Sequence, residues 1–241
     1  MNLFSDKPNF HKNNILYNIS DGIDCFVVFE ILRFYNKILV VLRDDVRLER
    51  FSKSLNTLNS KLNIIEFPSW DCLPFDKNSP NQKIIGKRVR ALFKLINLDG
   101  SKTVVLTTVG SILQKIPKAQ YISDSSLKVE VGKNCIQNDI IKFLENNGYS
   151  RTSTVREDSE YSIRGGIIDV FPPGDQNPVR IDFFGDEVDS IRSFDPINQL
   201  SIGNINHINF YPGSEINLND ESINLFRSNY RKTFDNRIYD Y

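Results

Sequence analysis

Arg180, Asp182 and Phe184 fall on alternate positions of one short run, VRIDFF, and their types suit recognition rather than catalysis. In an extended strand alternate side chains share a face, so these three stand together while Ile181 and Phe183 point the other way into a core. A guanidinium grips a carboxylate through two parallel hydrogen bonds, which lysine cannot reproduce. A phenylalanine left in water beside it completes the aromatic-plus-arginine composition in which interface energy concentrates. The expected chemistry is charge-assisted docking of a partner. Arg180→Ala or Phe184→Ala should then cost about 2 kcal/mol or more of binding with little loss of stability, whereas Ile181→Ala or Phe183→Ala should cost about 2–5 kcal/mol of folding.

No catalytic constellation competes with this one. The carboxylate pairs Asp44/Asp45 and Asp186/Glu187 sit on apparent turns, where such residues are ordinarily solvated. His11 and His207 lie far apart, and Cys25, Cys72 and Cys135 are isolated, so no zinc spacing exists. No serine or cysteine has a G-x-S-x-G setting. A phosphate-binding loop would need G-x-x-x-x-G-K-[ST], and the stretch ahead of the first expected helix, Tyr17–Val28, reads YNISDGIDCFVV. It has one glycine, no lysine, and two aspartates, Asp21 and Asp24, that would repel phosphate. The sequence predicts no catalytic residue, no bound metal, no cofactor and no enzymatic activity.

The elements that must position the docking residues follow from periodicity. Tyr161–Asp195 holds runs rich in β-branched and aromatic residues separated by Pro, Gly, Asp and Asn, which predicts a small antiparallel meander. In it Gly165 and Gly166 stand at the mouth of the first run, and Pro172, Pro173 and Gly174 close it. Upstream, a helix over Asp24–Tyr35, strands at Lys37–Leu42, Asn63–Phe67 and Lys102–Thr108, and helices at Asp44–Leu58 and Gln82–Ile96 alternate as a parallel, doubly wound sheet requires. The Gln82–Ile96 helix puts Ile85, Val89, Leu92 and Ile96 on one stripe and leaves Lys83, Lys87, Arg88, Arg90 and Lys94 outside. Lys118–Ser126 reads as a polar connector. After it come a strand at Leu127–Val131, a helix at Gln137–Asn147 ended by Gly148, the meander, a strand at Ile205–Tyr211 and a helix at Asp220–Phe234. The fold class is α/β with an inserted α+β unit: residues 1–124 and 209–241 form the α/β part, and 125–208 the insertion.

Composition sets outer bounds. The 241 residues suffice for two modest cores, and 40% hydrophobic with 25% charged residues is ordinary for a globular protein. Lys plus Arg and Asp plus Glu are equal at 30, so no global field draws the chain to nucleic acid or anionic lipid. Neither a signal-peptide core at the N-terminus nor an apolar run of the ~20 residues that span a bilayer occurs. Together with the scattered thiols, this predicts a cytoplasmic location.

The string Arg164-Gly165, Ile168-Asp169, Phe171-Pro172, Arg180 through Phe183, Asp186-Glu187 and Phe194-Asp195-Pro196 resembles the module shared by two bacterial excision-repair families, the excinuclease component UvrB and the transcription-repair coupling factors. The loop around Trp70, Leu73, Pro74 and Phe75 is similar to the W-x-x-L-P-[FY]-[DE] loop of the coupling factors. The missing phosphate loop also agrees with them rather than with UvrB. The resemblance implies a degenerate, helicase-like α/β half without a nucleotide site, and a docking module for UvrA, the damage-recognition ATPase of the excinuclease. It places partner-contacting residues at Arg164, Arg180 and Phe184, beside Asp182. It implies further that RNA polymerase and DNA are bound by regions of a coupling factor for which 241 residues leave no room, so that the chain would be an N-terminal module. The alternative is a DNA-binding or helicase-type fragment related to UvrB, resting on the cations of Gln82–Ile96.

Overall fold

The computed structural model describes residues 15–73, 76–77, 80–215 and 220–234. The reading of the N-terminus, of Pro74 and Phe75 in the tryptophan loop, and of residues 235–241 falls outside them. The first unit runs α1 (Ile23–Ile31), β1 (Lys37–Leu42), α2 (Asp45–Leu58), β2 (Asn63–Phe67), α3 (Gln82–Ile96) and β3 (Thr103–Thr108). All three strands are parallel, in the order β1-β3-β2. The chain thus passes over β3 to reach β2 and then doubles back. Because strand-to-strand crossovers are right-handed, that reversal lays α2 and α3 on opposite faces. Alternate residues of β3 serve the two layers. Val104 and Leu106 pack with Leu48, Phe51 and Leu55 of α2, while Val105 meets Val89 and Leu92 of α3. Both crossover helices start on a side-chain cap: Asp44 accepts from the Arg47 amide at 2.8 Å, and Asn81 from that of Lys83 at 2.9 Å.

A short helix, α4 (Val109–Ile112), leads to α5 (Ala119–Asp124). The expected polar connector is therefore helical at its centre, where the fully buried Ile122 joins the α3 layer. One buried side chain in six residues is too little periodicity to read. The second unit comprises β4 (Leu127–Glu130), α6 (Gln137–Asn146), β5 (Ser150–Arg151), β6 (Glu160–Arg164), β7 (Ile167–Val170), β8 (Val179–Phe184), β9 (Glu187–Phe194), β10 (Ser201–Asn204) and β11 (His207–Phe210), followed by α7 (Asp220–Phe234). Strands β10-β9-β8-β7-β6-β5 form one sheet in that order, antiparallel except for the β5–β6 pair. The meander is larger than expected, because the first run is itself a hairpin. Gly165, at φ 60°, turns β6 into β7 instead of opening a strand.

One face of this sheet carries Tyr161, Ile168, Val170, Val179, Ile181, Val188 and Ile191, which pack on Ile140 and Leu144 of α6. The expected assignment of every residue from 209 onward to the α/β part is corrected for the last strand. β11 pairs antiparallel with β4, and Phe210 packs in the core of the second unit. Only the residues just after it cross back: Tyr211 joins the α3 layer and its ring lies 4.8 Å from that of Phe93.

The seam between the units includes a direct main-chain contact. A Cβ on Gly86 would lie 2.4 Å from the Pro173 carbonyl carbon, and one on Gly174 would lie 2.7 Å from the Lys87 nitrogen, so the helix and the Pro-Pro-Gly turn touch main chain to main chain. Arg90 pairs with Asp175 at 2.5 Å and donates to the Gly174 carbonyl at 3.1 Å. Arg88 corrects the helical-wheel expectation, since it is wholly buried. Its guanidinium pairs with Glu215, donates to the Pro68 carbonyl at 2.6 Å, and lies 4.1 Å from the Phe67 ring centroid. The Trp70 indole nitrogen donates to the same carboxylate at 3.0 Å. No helix among the described residues is long and apolar enough to cross a membrane.

Candidate docking face

The outward face of the meander is assembled by register. Ser162, Asp169, Arg180 and Arg192 are paired in succession across β6, β7, β8 and β9. The next outward row is Arg164, Ile167, Asp182 and Ser190. A register shift between Asp182 and Phe183 follows, a bulge that leaves Phe183 opposite Val188 and Phe184 opposite Glu187. Phe183 therefore still packs against the core, and Phe184 is 83% exposed.

Burial grades along this face. At its base Val155, Phe171 and Phe194 form a small apolar cluster of their own. The Arg180 guanidinium lies 4.7 Å from the Phe194 ring centroid, within cation–π range. Asp169 is fully buried and Arg180 retains 17% side-chain exposure, whereas Arg164 retains 52%. The three form one network. Arg180 donates from Nε to Asp169 Oδ1 at 2.7 Å and from Nη2 to Oδ2 at 2.9 Å, and Arg164 Nη2 donates to Oδ2 as well. Hydrogen bonding to that carboxylate holds the Arg180 proton even more tightly than an arginine ordinarily does. A second pair lies alongside, in which Asp182 accepts from Ser190 at 2.8 Å and from Arg192. Three guanidinium groups against two carboxylates leave this network one unit positive, with Glu187 standing opposite Phe184 at the far end.

The four residues singled out in the sequence, Arg164, Arg180, Asp182 and Phe184, thus share one face, as alternation requires. Their roles in it are unequal. The Nε–Nη2 edge of Arg180 is already engaged by Asp169, so that edge is not open to a partner carboxylate. Truncating Arg180 would strip a buried charge of its main counter-ion, which corrects the expectation of little stability loss. Sequence reasoning assigns no role to Asp169 or Arg192. The available signal for Asp169 is its parity: between core-facing Ile168 and Val170, an aspartate must face outward with the arginines.

Two other stretches complete the picture. At the start of α1, the amides of Gly22 and Cys25 donate to Asp24 Oδ1 at 3.2 and 3.0 Å, and Arg47 pairs with the same Asp24 and, at 3.5 Å, with Asp21. Amides that could receive a phosphate are taken by the chain's own carboxylate. Of the α3 cations, Arg88 and Arg90 are engaged with Glu215 and Asp175. Lys94 is half-buried, and burial, with Arg90 next, weakens its hold on its proton. Lys83 and Lys87 are exposed. No group of three or more His, Cys, Asp or Glu among the described residues could hold a metal ion.

Residues 127–216, from β4 onward, match the family described as UvrB interaction domain. The chain is 37% identical over 229 residues to the transcription-repair-coupling factor of Haemophilus influenzae, covering 95% of this chain and 20% of that protein. It is 34% identical over 208 residues to the Rickettsia bellii protein of the same name, covering 84% and 18%. Against the Escherichia coli one it is 32% identical over 172 residues, covering 71% and 15%. Residues 127–216 thus match the UvrB interaction domain, and the chain is similar over most of its own length to transcription-repair-coupling factors, of whose length it spans about a fifth.

Proposed function

We propose that the chain recruits UvrA to transcription-coupled repair in the cytoplasm, binding it through the outer face of β6–β9, and that it does so without hydrolysing ATP. The observation that carries this reading is the pairing of Phe184, four-fifths exposed, with the arginine network at whose rim it stands, the aromatic-plus-arginine composition in which interface energy concentrates. The family match and the homology support a role in repair. Asp24 on the α1 amides, and the lack of a phosphate-loop lysine or glycines, support the non-ATPase part, as does an α/β half that we read as a helicase-like fold without its nucleotide site. A calorimetric titration of purified UvrA into the chain tests the proposal, run beside Phe184→Ala and beside a duplex-DNA titration. Saturable binding that Phe184→Ala weakens by roughly 30-fold is expected. Binding unaffected by Phe184→Ala refutes the site, and a nanomolar, salt-resistant DNA complex would favour the DNA-binding reading.

A further inference from the structure

We infer that Asp169 is a positioning residue for docking: its buried carboxylate orients Arg164 and Arg180 before any partner arrives. The inference rests on the docking reading and deepens it.

A fully buried carboxylate is an expensive way to hold a sheet together. Its desolvation costs several kcal/mol, and replacing a buried ion pair with packed apolar groups is often neutral or stabilising. The other face of the same strand is held by Ile168 and Val170 with no charge at all. The geometry of Asp169 fits a different task. It sits on β7, between the two strands that carry the arginines, and its two oxygens take three hydrogen bonds from Arg164 and Arg180. A free arginine side chain has about 2 kcal/mol of rotamer entropy to lose when a partner immobilises it. Here two arginines have surrendered much of it on folding, which lowers the cost of association. The contacts also fix which donors remain. Arg164 Nε and Nη1 and Arg180 Nη1 make no hydrogen bond among the described residues, and these atoms are what the face can offer to a partner carboxylate.

Charge alone and positioning predict opposite signs. Without the Asp169 charge the network would be two units positive instead of one, so an acidic partner attracted only by net charge should bind Asp169→Asn more tightly. If Asp169 positions the arginines, Asp169→Asn should bind more weakly despite the added positive charge. The experiment measures affinity and dissociation rate of the whole chain for UvrA, at a temperature where circular dichroism shows every variant folded. Wild type, Asp169→Asn, Arg164→Ala and the double variant form a cycle. The expected result is about tenfold weaker binding for Asp169→Asn, mostly through faster dissociation, and a smaller effect when Arg164 is already alanine, the remainder acting through Arg180. That non-additivity in binding is what a general loosening of the sheet would not produce. Asp169→Glu supplies a second test that does not remove the charge. It keeps the charge but moves the carboxylate by one methylene, and weaker binding by the folded variant is expected. Unchanged or tighter binding by folded Asp169→Asn overturns the inference, as does an effect that simply adds to Arg164→Ala. Should Asp169→Asn fail to fold, unchanged binding by Asp169→Glu overturns it instead. If the wild type itself shows no binding, the docking reading falls and this inference with it.

Discussion

Arg180→Ala separates what this side chain does for the fold from what it does for a partner. The substitution removes two hydrogen bonds, at 2.7 and 2.9 Å, from a fully buried carboxylate, and it removes the cation from above the Phe194 ring. Stripping a buried pair of one member typically costs about 3–5 kcal/mol. Two facts reduce that here. Arg164 still reaches Asp169, and Arg180 is not wholly withdrawn from water. We expect a loss of about 2–3 kcal/mol for Arg180→Ala, against a change within about 0.5 kcal/mol for the exposed Phe184→Ala. Urea unfolding gives the overall shift, and hydrogen exchange at the amides of β7 and β8 localises it to the meander. Binding loss in Arg180→Ala must then be corrected for the folded fraction, whereas that of Phe184→Ala needs no correction. A wild-type urea midpoint and undiminished β7 and β8 protection in Arg180→Ala would refute the claim that Asp169 depends on it.

Gly86→Ala should destabilise by roughly 1–3 kcal/mol, read as a fall in melting temperature, because the new methyl group meets the Pro173 main chain, not a side chain that can swing aside; wild-type stability would show that the helix and turn part easily. Asp158 and Asp175 are both held above the ordinary carboxylate value, chiefly by burial and despite nearby cations. The folded state therefore binds their protons more tightly than the unfolded chain. Their stabilising contribution is complete below the unfolded value and is lost as pH rises through the raised folded one. Comparing wild type with Asp158→Asn from pH 7 down to about pH 4, the wild type should gain relative to the variant as pH falls; a constant difference contradicts the assignment. Calorimetry with ATP and magnesium should show no saturable binding, and duplex DNA should bind no more tightly than ~10⁻⁴–10⁻⁶ M with steep salt dependence.

The elements of the first unit were legible where one physical signal dominated. The bounds of β1, β2 and α3 emerge as expected, since apolar runs and an amphipathic helix write their periods into the chain. β1 is nonetheless an edge strand with Leu39 and Val41 exposed, so its continuous apolar run does not report burial on both faces. Arg88 was not legible. A helical wheel assumes one apolar buried face, and Arg88 is buried against Phe67, Trp70 and the carboxylate of Glu215, which lies 127 residues further along the chain. Distant partners leave no mark on local periodicity. The same limit applies to the candidate site. Alternation placed Arg180, Asp182 and Phe184 on one side, yet only the cross-strand register showed that the Arg180 fork was occupied and that Phe184 stood at the rim. The strand β11 illustrates a third case, in which apolar alternation announced a strand and could not name its neighbour.

The contact of Gly86 with Pro173 and Gly174 has a mechanical consequence. Long side chains at a joint act as springs, because rotamers can change while the elements stay in touch; two backbones at their closest approach have no such play. At this point the outer face of the meander is carried on the α/β unit by main chain as well as by the Arg90–Asp175 pair, so a tilt between the units would have to open both.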